Sequence, residues 1–506
     1  MTAPDLAAAA SVIELASNVV DTGVRTLAAA PGGVDANQVL AYDLAHAASA
    51  VAMAKGLLDY GAKGEAEGNI ACAFAADAVA DLAAKVFGRE AEFGVDPGAL
   101  DGAREFVGTY KAADFLASIT DPGPRHLDSD FEMVQDTFRR YAETELAPKA
   151  EHIHRTNGDI PEEIIEGLAE MGAFGLSIPS EYGGYGEGGE GEYIGMVVTT
   201  EELSRGSLGA GGSLITRPEI LARALMAGGT EEQKHEWLPK LASAEVMNAV
   251  AVTEPDYGSD VAGVKVTATP TEGGWLINGV KTWCTFGARA DVLLVLARTD
   301  PDRSKGHRGL SMFIVPKDRG DSHGFELVQR AENGAPGGGK MEGRPIDTIG
   351  YRGMHSYEIA LEDWFVPAEN LIGMEGGMGR GFYYQMAGFE NGRLQTAARA
   401  IGVMQAAYEA ARQYGEDRVV FGQPVGSYQL TQAKLGRMAV IIQASRQFSY
   451  VVSKLMAKGE GQAEASMDTL VSVGVLAAFG WSTYALFFTS AGDNGATMQM
   501  SLLASV

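Results

Sequence analysis

Cysteine is nearly missing from this chain. Its 506 residues include two, Cys72 and Cys284, too few for a disulfide framework and without the spacing of a metal site. A reducing compartment, the cytoplasm, is the expected location. Positive charge is also short: 40 Lys and Arg stand against 66 Asp and Glu, a net charge of −26. Nucleic acid needs cations to neutralise its phosphates, and anionic membrane surfaces attract basic segments, so neither is an expected partner. The first residues, "MTAPDLAAAASVIELASNVV", hold acids and no basic stretch, unlike a secretory signal. No Lys or Arg follows Lys458, and residues 470–488 carry no charge at all. That run is long enough for a membrane span. Its Gly, Ser and Thr and its lack of flanking cations argue against one, leaving a buried helix or an aberrant tail. Nucleotide signatures are absent too. "EGGMGRGF" (375–382) has glycines but no preceding strand of a parallel unit, and neither a phosphate-binding lysine loop nor a G-x-S-x-G elbow occurs.

What is present falls into four segments. Residues 1–122 are alanine-rich with apolar residues at helical spacing, broken by "PGGVD" and "VDPGALDGA". This predicts a packing module of helices without chemistry of its own. Residues 123–246 continue as helices, with Pro148 expected to end or kink one, Pro161 to begin another and Thr230-x-x-Gln233 to cap a third. From 247 to 372 the period changes to two, and six or more short strands predict an antiparallel sandwich or barrel. Within it, the glycine-rich stretch 330–347 reads as a surface insertion. Residues 373–506 return to long amphipathic helices. The expected fold is α+β, mostly α.

The chemistry concentrates at "TEPDYGSD" (253–260). As a metal loop it is too short and contains proline. His152 and His154 have no further ligand nearby in sequence and read as solvated surface residues. A cofactor edge fits better. A strand ending in "AVAVTEP" offers backbone donors and acceptors, with Thr253 at its end. The Gly258-Ser259 turn allows close approach of backbone amides. "KTWCT" (281–285) adds the Trp283 indole and the Thr285 hydroxyl, which strict alternation would put on one face. Together these make a slot, half apolar and half hydrogen-bonding, suited to a flavin ring.

Four motifs in order, "VTEPDYGSD", "GVKTWCT", "GYRGMHSYEIALEDWFVPAENLIG" and "DRVVFGQPVGSYQLTQAKLGRMA", resemble the acyl-CoA dehydrogenase family over roughly residues 130–467. The resemblance implies a helical domain, a β domain and a C-terminal helical bundle that bind FAD and an acyl-CoA thioester. It implies flavin contacts at Val250, Val252, Thr253, Trp283 and Thr285, with the Cys284 side chain turned away. Gly258 and Ser259 match the turn beside flavin and pantetheine, and Glu390 to Arg393 match the segment on the CoA part. Arg418, Phe421 and Gln429 match a segment that reaches the FAD of a neighbouring subunit, which implies a dimer or tetramer. Electron-transfer flavoprotein is the implied electron acceptor. Within the family the resemblance is nearest to a branch with a helical N-terminal extension and a short branched substrate bearing a free carboxylate. Such a carboxylate needs a cation or several donors. Arg217 in "SLITRPEI" is the candidate, with a surface or helix-capping arginine as the alternative.

The family's catalytic base is a Glu in a late "EG" turn that follows a glycine-rich flavin motif, and neither motif occurs here. An alternative base position, just before the arginine matching Arg393, holds Gly392. No catalytic residue is therefore assigned. The expectation divides between an acyl-CoA dehydrogenase and a catalytically impaired or silent flavin and acyl-CoA binder. Weak FAD retention and little turnover are expected from residues 468–506 as they stand.

Overall fold

The computed structural model describes residues 3–320, 323–332 and 335–459. The uncharged run 470–488 and the divergent stretch 468–506 lie outside the described residues. The chain forms two compact units, one of residues 133–395 and one that joins residues 1–132 to those from 396 onward.

In the second of these, helices Leu6–Ala29, Gln38–Gly61 and Glu65–Val86 pack together, and helix Gln429–Ala457 packs on the latter two. Small residues allow the close approach. A Cβ at Gly61 would lie 2.9 Å from that of Ala71. The proline-containing strap around residues 119–126 is tied down rather than loose. Tyr60 and Gln443 both donate to the Pro124 carbonyl, at 3.1 and 3.0 Å, and Tyr408 donates to the Thr120 carbonyl at 2.6 Å.

The other unit carries a helical layer and a sheet. Helix Ser129–Tyr141 runs into a widened π turn, Ala142–Leu146, before helix Ala147–Thr156 begins. Pro148 lacks the N–H that a regular helix would use, so the distortion falls in the turn before it. Pro161 stands one residue ahead of helix Glu162–Glu170, as its cap. Thr230 and Gln233 form the expected capping box of helix Glu231–Ala242.

The strands are β1 (Asn248–Ala251), β2 (Thr267–Thr271), β3 (Gly274–Thr285), β4 (Val292–Arg298), β5 (Leu310–Pro316), β6 (Phe325–Val328), β7 (Lys340–Ile346) and β8 (Ser356–Pro367). They form one eight-stranded sheet in the order β1-β4-β2-β3-β8-β7-β6, with β5 also paired to β4. The expected purely antiparallel arrangement does not hold. β1 pairs with β4 in parallel, Asn248 opposite Val292 through Ala251 opposite Val295, and Thr267 of β2 also meets β4 in parallel. The reason shows in β4 itself, where every residue of "VLLVLAR" is buried. A strand covered on both faces loses the alternation that marks a half-exposed one. Leu293, Val295 and Ala297 enter one core, and Val292, Leu294 and Leu296 enter the other.

The reading of 330–347 as a surface insertion is corrected as well. Residues 340–346 are β7, hydrogen-bonded between β6 and β8. Met341 is buried, and Gly343 makes room for Phe325, whose ring would lie within 2.2 Å of an added Cβ. Glycine and charged neighbours masked a strand whose fit depends on partners far along the chain.

Candidate flavin and acyl-CoA site

The end of β1 and the end of β3 meet at the stretch singled out in the sequence. β1 contacts β3 and is backed by helix Leu214–Gly228. Val250 and Val252 join the core on that helix's side, while Ala249 and Ala251 join the opposite one. Thr253 follows, half-buried, and its carbonyl accepts from the Thr282 amide at 2.9 Å. Among the described residues neither the Thr253 amide nor its hydroxyl has a partner. These two donors remain for a ligand.

The acids of "TEPDYGSD" are structural. Glu254 is 5% exposed and its carboxylate accepts from the amides of Lys265 and Val266, at 2.7 and 2.9 Å, and from Lys281 at 2.9 Å. Glu254 and Tyr257 exchange backbone hydrogen bonds at 3.0 Å, which closes the turn. Asp260 accepts from the Gly263 amide at 3.1 Å. Gly258 and Ser259 are exposed, and a Cβ at Gly258 would meet nothing within 4 Å. Within the chain itself, nothing demands glycine there.

On β3 the alternation fails at the residues that matter. Lys281 is opposite Ile359 but Cys284 is opposite Tyr357, so β3 carries an extra residue, a bulge. Trp283 sits in it with φ of 57° and its side chain 55% exposed. Thr285 is buried, its hydroxyl 3.0 Å from that of Ser356. The bulge, which a sequence pattern does not show, turns the indole outward while Cys284 goes into the core. Burial pushes the Cys284 thiol up to about 12.

Arg217 is the fourth residue of helix Leu214–Gly228, past the capping position, and is half-buried. Among the described residues its Nε is buried without a partner, and Nη2 lies 3.4 Å from the Tyr351 hydroxyl, at the limit of a hydrogen bond. Tyr351 bonds Ser213 on the preceding turn. The surface and helix-capping alternatives for Arg217 therefore do not describe it. Glu390 and Arg393 are half-buried on helix Gly381–Asp417. Between them Asn391 reaches Glu219, whose carboxylate also accepts from Arg223 at 3.0 Å. Tyr351 and Asn391 stand inside stretches that carry the family resemblance, but their contacts with Ser213, Arg217 and Glu219 join residues far apart in the chain, which no local pattern announces.

Arg418, Phe421 and Gln429 belong to the other unit. Arg418 is exposed, Phe421 is 96% exposed at the tip of the hairpin pairing Val419–Val420 with Gln423–Pro424, and Gln429 donates to Asp114. A cleft of about 570 Å³ also lies in that unit, beside Thr26, Asn37 and Glu92. None of the residues implied for flavin or acyl-CoA lines it. Among the described residues no group of three or more His, Cys, Asp or Glu side chains converges, and no helix is long and apolar enough to cross a membrane.

Comparison with known proteins agrees with this architecture. Models of the N-terminal, middle and C-terminal domains of acyl-CoA dehydrogenase match residues 128–245, 249–364 and 379–477. The last extends past Met467, where the motif resemblance ended. Over 329 residues the chain is 45% identical to (2S)-methylsuccinyl-CoA dehydrogenase of Cereibacter sphaeroides, a match covering 65% of this chain and 57% of that protein. The chain thus spans less than two thirds of that relative's length. It is 35% identical over 330 residues to the mitochondrial 2-methylacyl-CoA dehydrogenase of Solanum tuberosum, covering 65% of this chain and 73% of the other. The solved structure of butyryl-CoA dehydrogenase from Megasphaera elsdenii superposes with a TM-score of 0.65 at 26% identity, over 74% of this chain and 92% of that one. With three consecutive domains matched, the same fold and relatives of this identity, the chain belongs to the acyl-CoA dehydrogenase family.

Proposed function

We propose that this protein binds FAD and a short branched acyl-CoA bearing a free carboxylate, (2S)-methylsuccinyl-CoA, for α,β-dehydrogenation to mesaconyl-CoA. The observation that carries the flavin reading is the junction of β1 and β3. There, among the described residues, the Thr253 amide and hydroxyl lack partners beside an outward-turned Trp283. These residues fit a flat heterocycle. Thr253 and Thr285 would bond its polar edge, Trp283 would cover a face, and Val250 and Val252 would support the strand behind it. When bound, the flavin would supply an acceptor for the β-hydrogen and its electron pair; the α-proton must pass to a base, a role assigned to none of the described residues. The chain's own part is to seat the thioester. Ser259 and the Glu390–Arg393 segment hold the CoA portion, and Gly258 leaves the turn open to it.

Arg217 supports the substrate class. A guanidinium with a buried, unpartnered Nε is costly unless something accepts from it, and a carboxylate matches its fork. The relative that is 45% identical carries the methylsuccinyl-CoA dehydrogenase name. The other assignments belong to the same proposal: Arg418, Phe421 and Gln429 contacting the flavin of a second copy, and electron-transfer flavoprotein taking the electrons. The deciding experiment measures the visible spectrum of the purified protein, with and without added FAD, then adds methylsuccinyl-CoA anaerobically. Loss of flavin absorbance on addition would establish the dehydrogenation and overturn the expectation of little turnover. Flavin binding without bleaching would select a silent binder of the same ligands. No flavin binding would refute the reading.

A further inference from the structure

Lys281 lies two residues before Trp283, and Glu254 one residue after Thr253. Both are buried, Lys281 completely. The ammonium donates to the Val252 carbonyl at 2.8 Å and to Glu254 at 2.9 Å. Glu254 in turn holds the amides of Lys265 and Val266. One charged pair thus ties the strand leading to Thr253, the start of the next segment and β3 into one junction. Burial pushes the Lys281 ammonium below its ordinary range, and Glu254 opposes that shift.

A buried ion pair is a poor source of stability, since apolar residues of similar volume do as well. What it provides here is position. The bulge between Lys281 and Cys284 holds Trp283 in the left-handed region at φ of 57°. For a non-glycine residue that conformation persists only where the surroundings over-determine it. The exposed indole cannot anchor itself. The anchors are its buried neighbours, Lys281 on one side and Cys284 on the other.

We propose that Glu254 and Lys281 are positioning residues of the flavin wall. The pair sets the offset between residues 250–254 and 281–285 and presents Trp283 and the free Thr253 donors in a preformed arrangement. This rests on the flavin reading above. Lys281→Met alone would leave a buried carboxylate unpaired and risks unfolding, so the test uses the double variant Lys281→Met/Glu254→Gln. Two measurements are made: FAD affinity with the visible circular dichroism of the bound flavin, and amide hydrogen exchange of residues 250–254 and 281–285 in the flavin-free protein. The double variant should keep the wild-type far-ultraviolet spectrum. Its FAD Kd should rise about tenfold or more, the flavin dichroism should change, and exchange in both segments should quicken by a similar factor. Wild-type affinity and exchange in the folded double variant would overturn the proposal. If wild-type protein binds no FAD, the flavin reading fails, and the exchange comparison still decides whether the pair positions the wall. Trp283→Gly, which relieves the left-handed strain, should raise the melting temperature of the flavin-free protein. A fall would overturn the claim that the pair holds a strained residue.

Discussion

Replacing Arg217 by Met should separate two ligands that differ only in charge. Among the described residues the guanidinium has a buried Nε with no partner and a marginal 3.4 Å contact to Tyr351. A substrate carboxylate would complete it, and removing the arginine would leave that carboxylate buried and unpaired. Truncating one member of such a pair costs about 2–5 kcal/mol, or roughly 30- to 4,000-fold in Kd at about 1.4 kcal/mol per decade. The control is 2-methylbutyryl-CoA, which keeps the branch and the thioester but carries a methyl where methylsuccinyl-CoA carries its carboxylate. Its affinity should change by no more than about threefold, since it loses no charge-assisted bond. Methionine keeps an unbranched apolar stem in the helix, and the Tyr351–Ser213 bond does not involve Arg217, so the variant should stay folded. Isothermal titration of both thioesters into wild type and variant gives four affinities. Equal losses for both, or no loss for either, would refute the carboxylate role.

Other outcomes follow from individual contacts. Lys317 donates to the carbonyls of Ala288 and Asp318, and burial lowers its ammonium from 10.5 to about 8. Between those values the unfolded chain keeps a proton that the folded state has released, so folding gains as pH rises through the window. Relative to Lys317→Met, wild type should gain up to about 3 kcal/mol between pH 8 and 10.5, read by denaturant unfolding across that range; a difference flat in pH would contradict this. Gly343→Ala places a Cβ about 2.2 Å from the Phe325 ring. It should cost about 1–3 kcal/mol through overpacking, seen as a lower melting temperature. Thr230→Ala should cost about 1 kcal/mol as a lost cap. Gln233→Ala should cost more, because Gln233 also donates to Glu369 and Leu371 and accepts from Gly373. Reversal of that order in urea midpoints would show that the cap matters more than the tether.

What the amino-acid order determined by itself was local. Alanine spacing specified the N-terminal helices, Thr230 and Gln233 their box, and the period change near residue 247 the start of the sheet. Four short motifs, read together, identified the family and pointed to Thr253 and Trp283, and the stretch "SLITRPEI" supplied Arg217. Each of these signals acts between neighbours a few residues apart. The tertiary structure decided what depended on residues distant in the chain. It made β1 a parallel neighbour of β4, because a doubly covered strand shows no alternation. It drew "KMEGRPI" into the sheet, because Phe325 fills the space that Gly343 leaves. It turned Glu254 from an acid in a polar loop into the buried partner of Lys281, and the bulge on β3 set Trp283 facing outward. A charge's cost depends on the dielectric around it, and a side chain's direction on strand register. Both are properties of the packed chain.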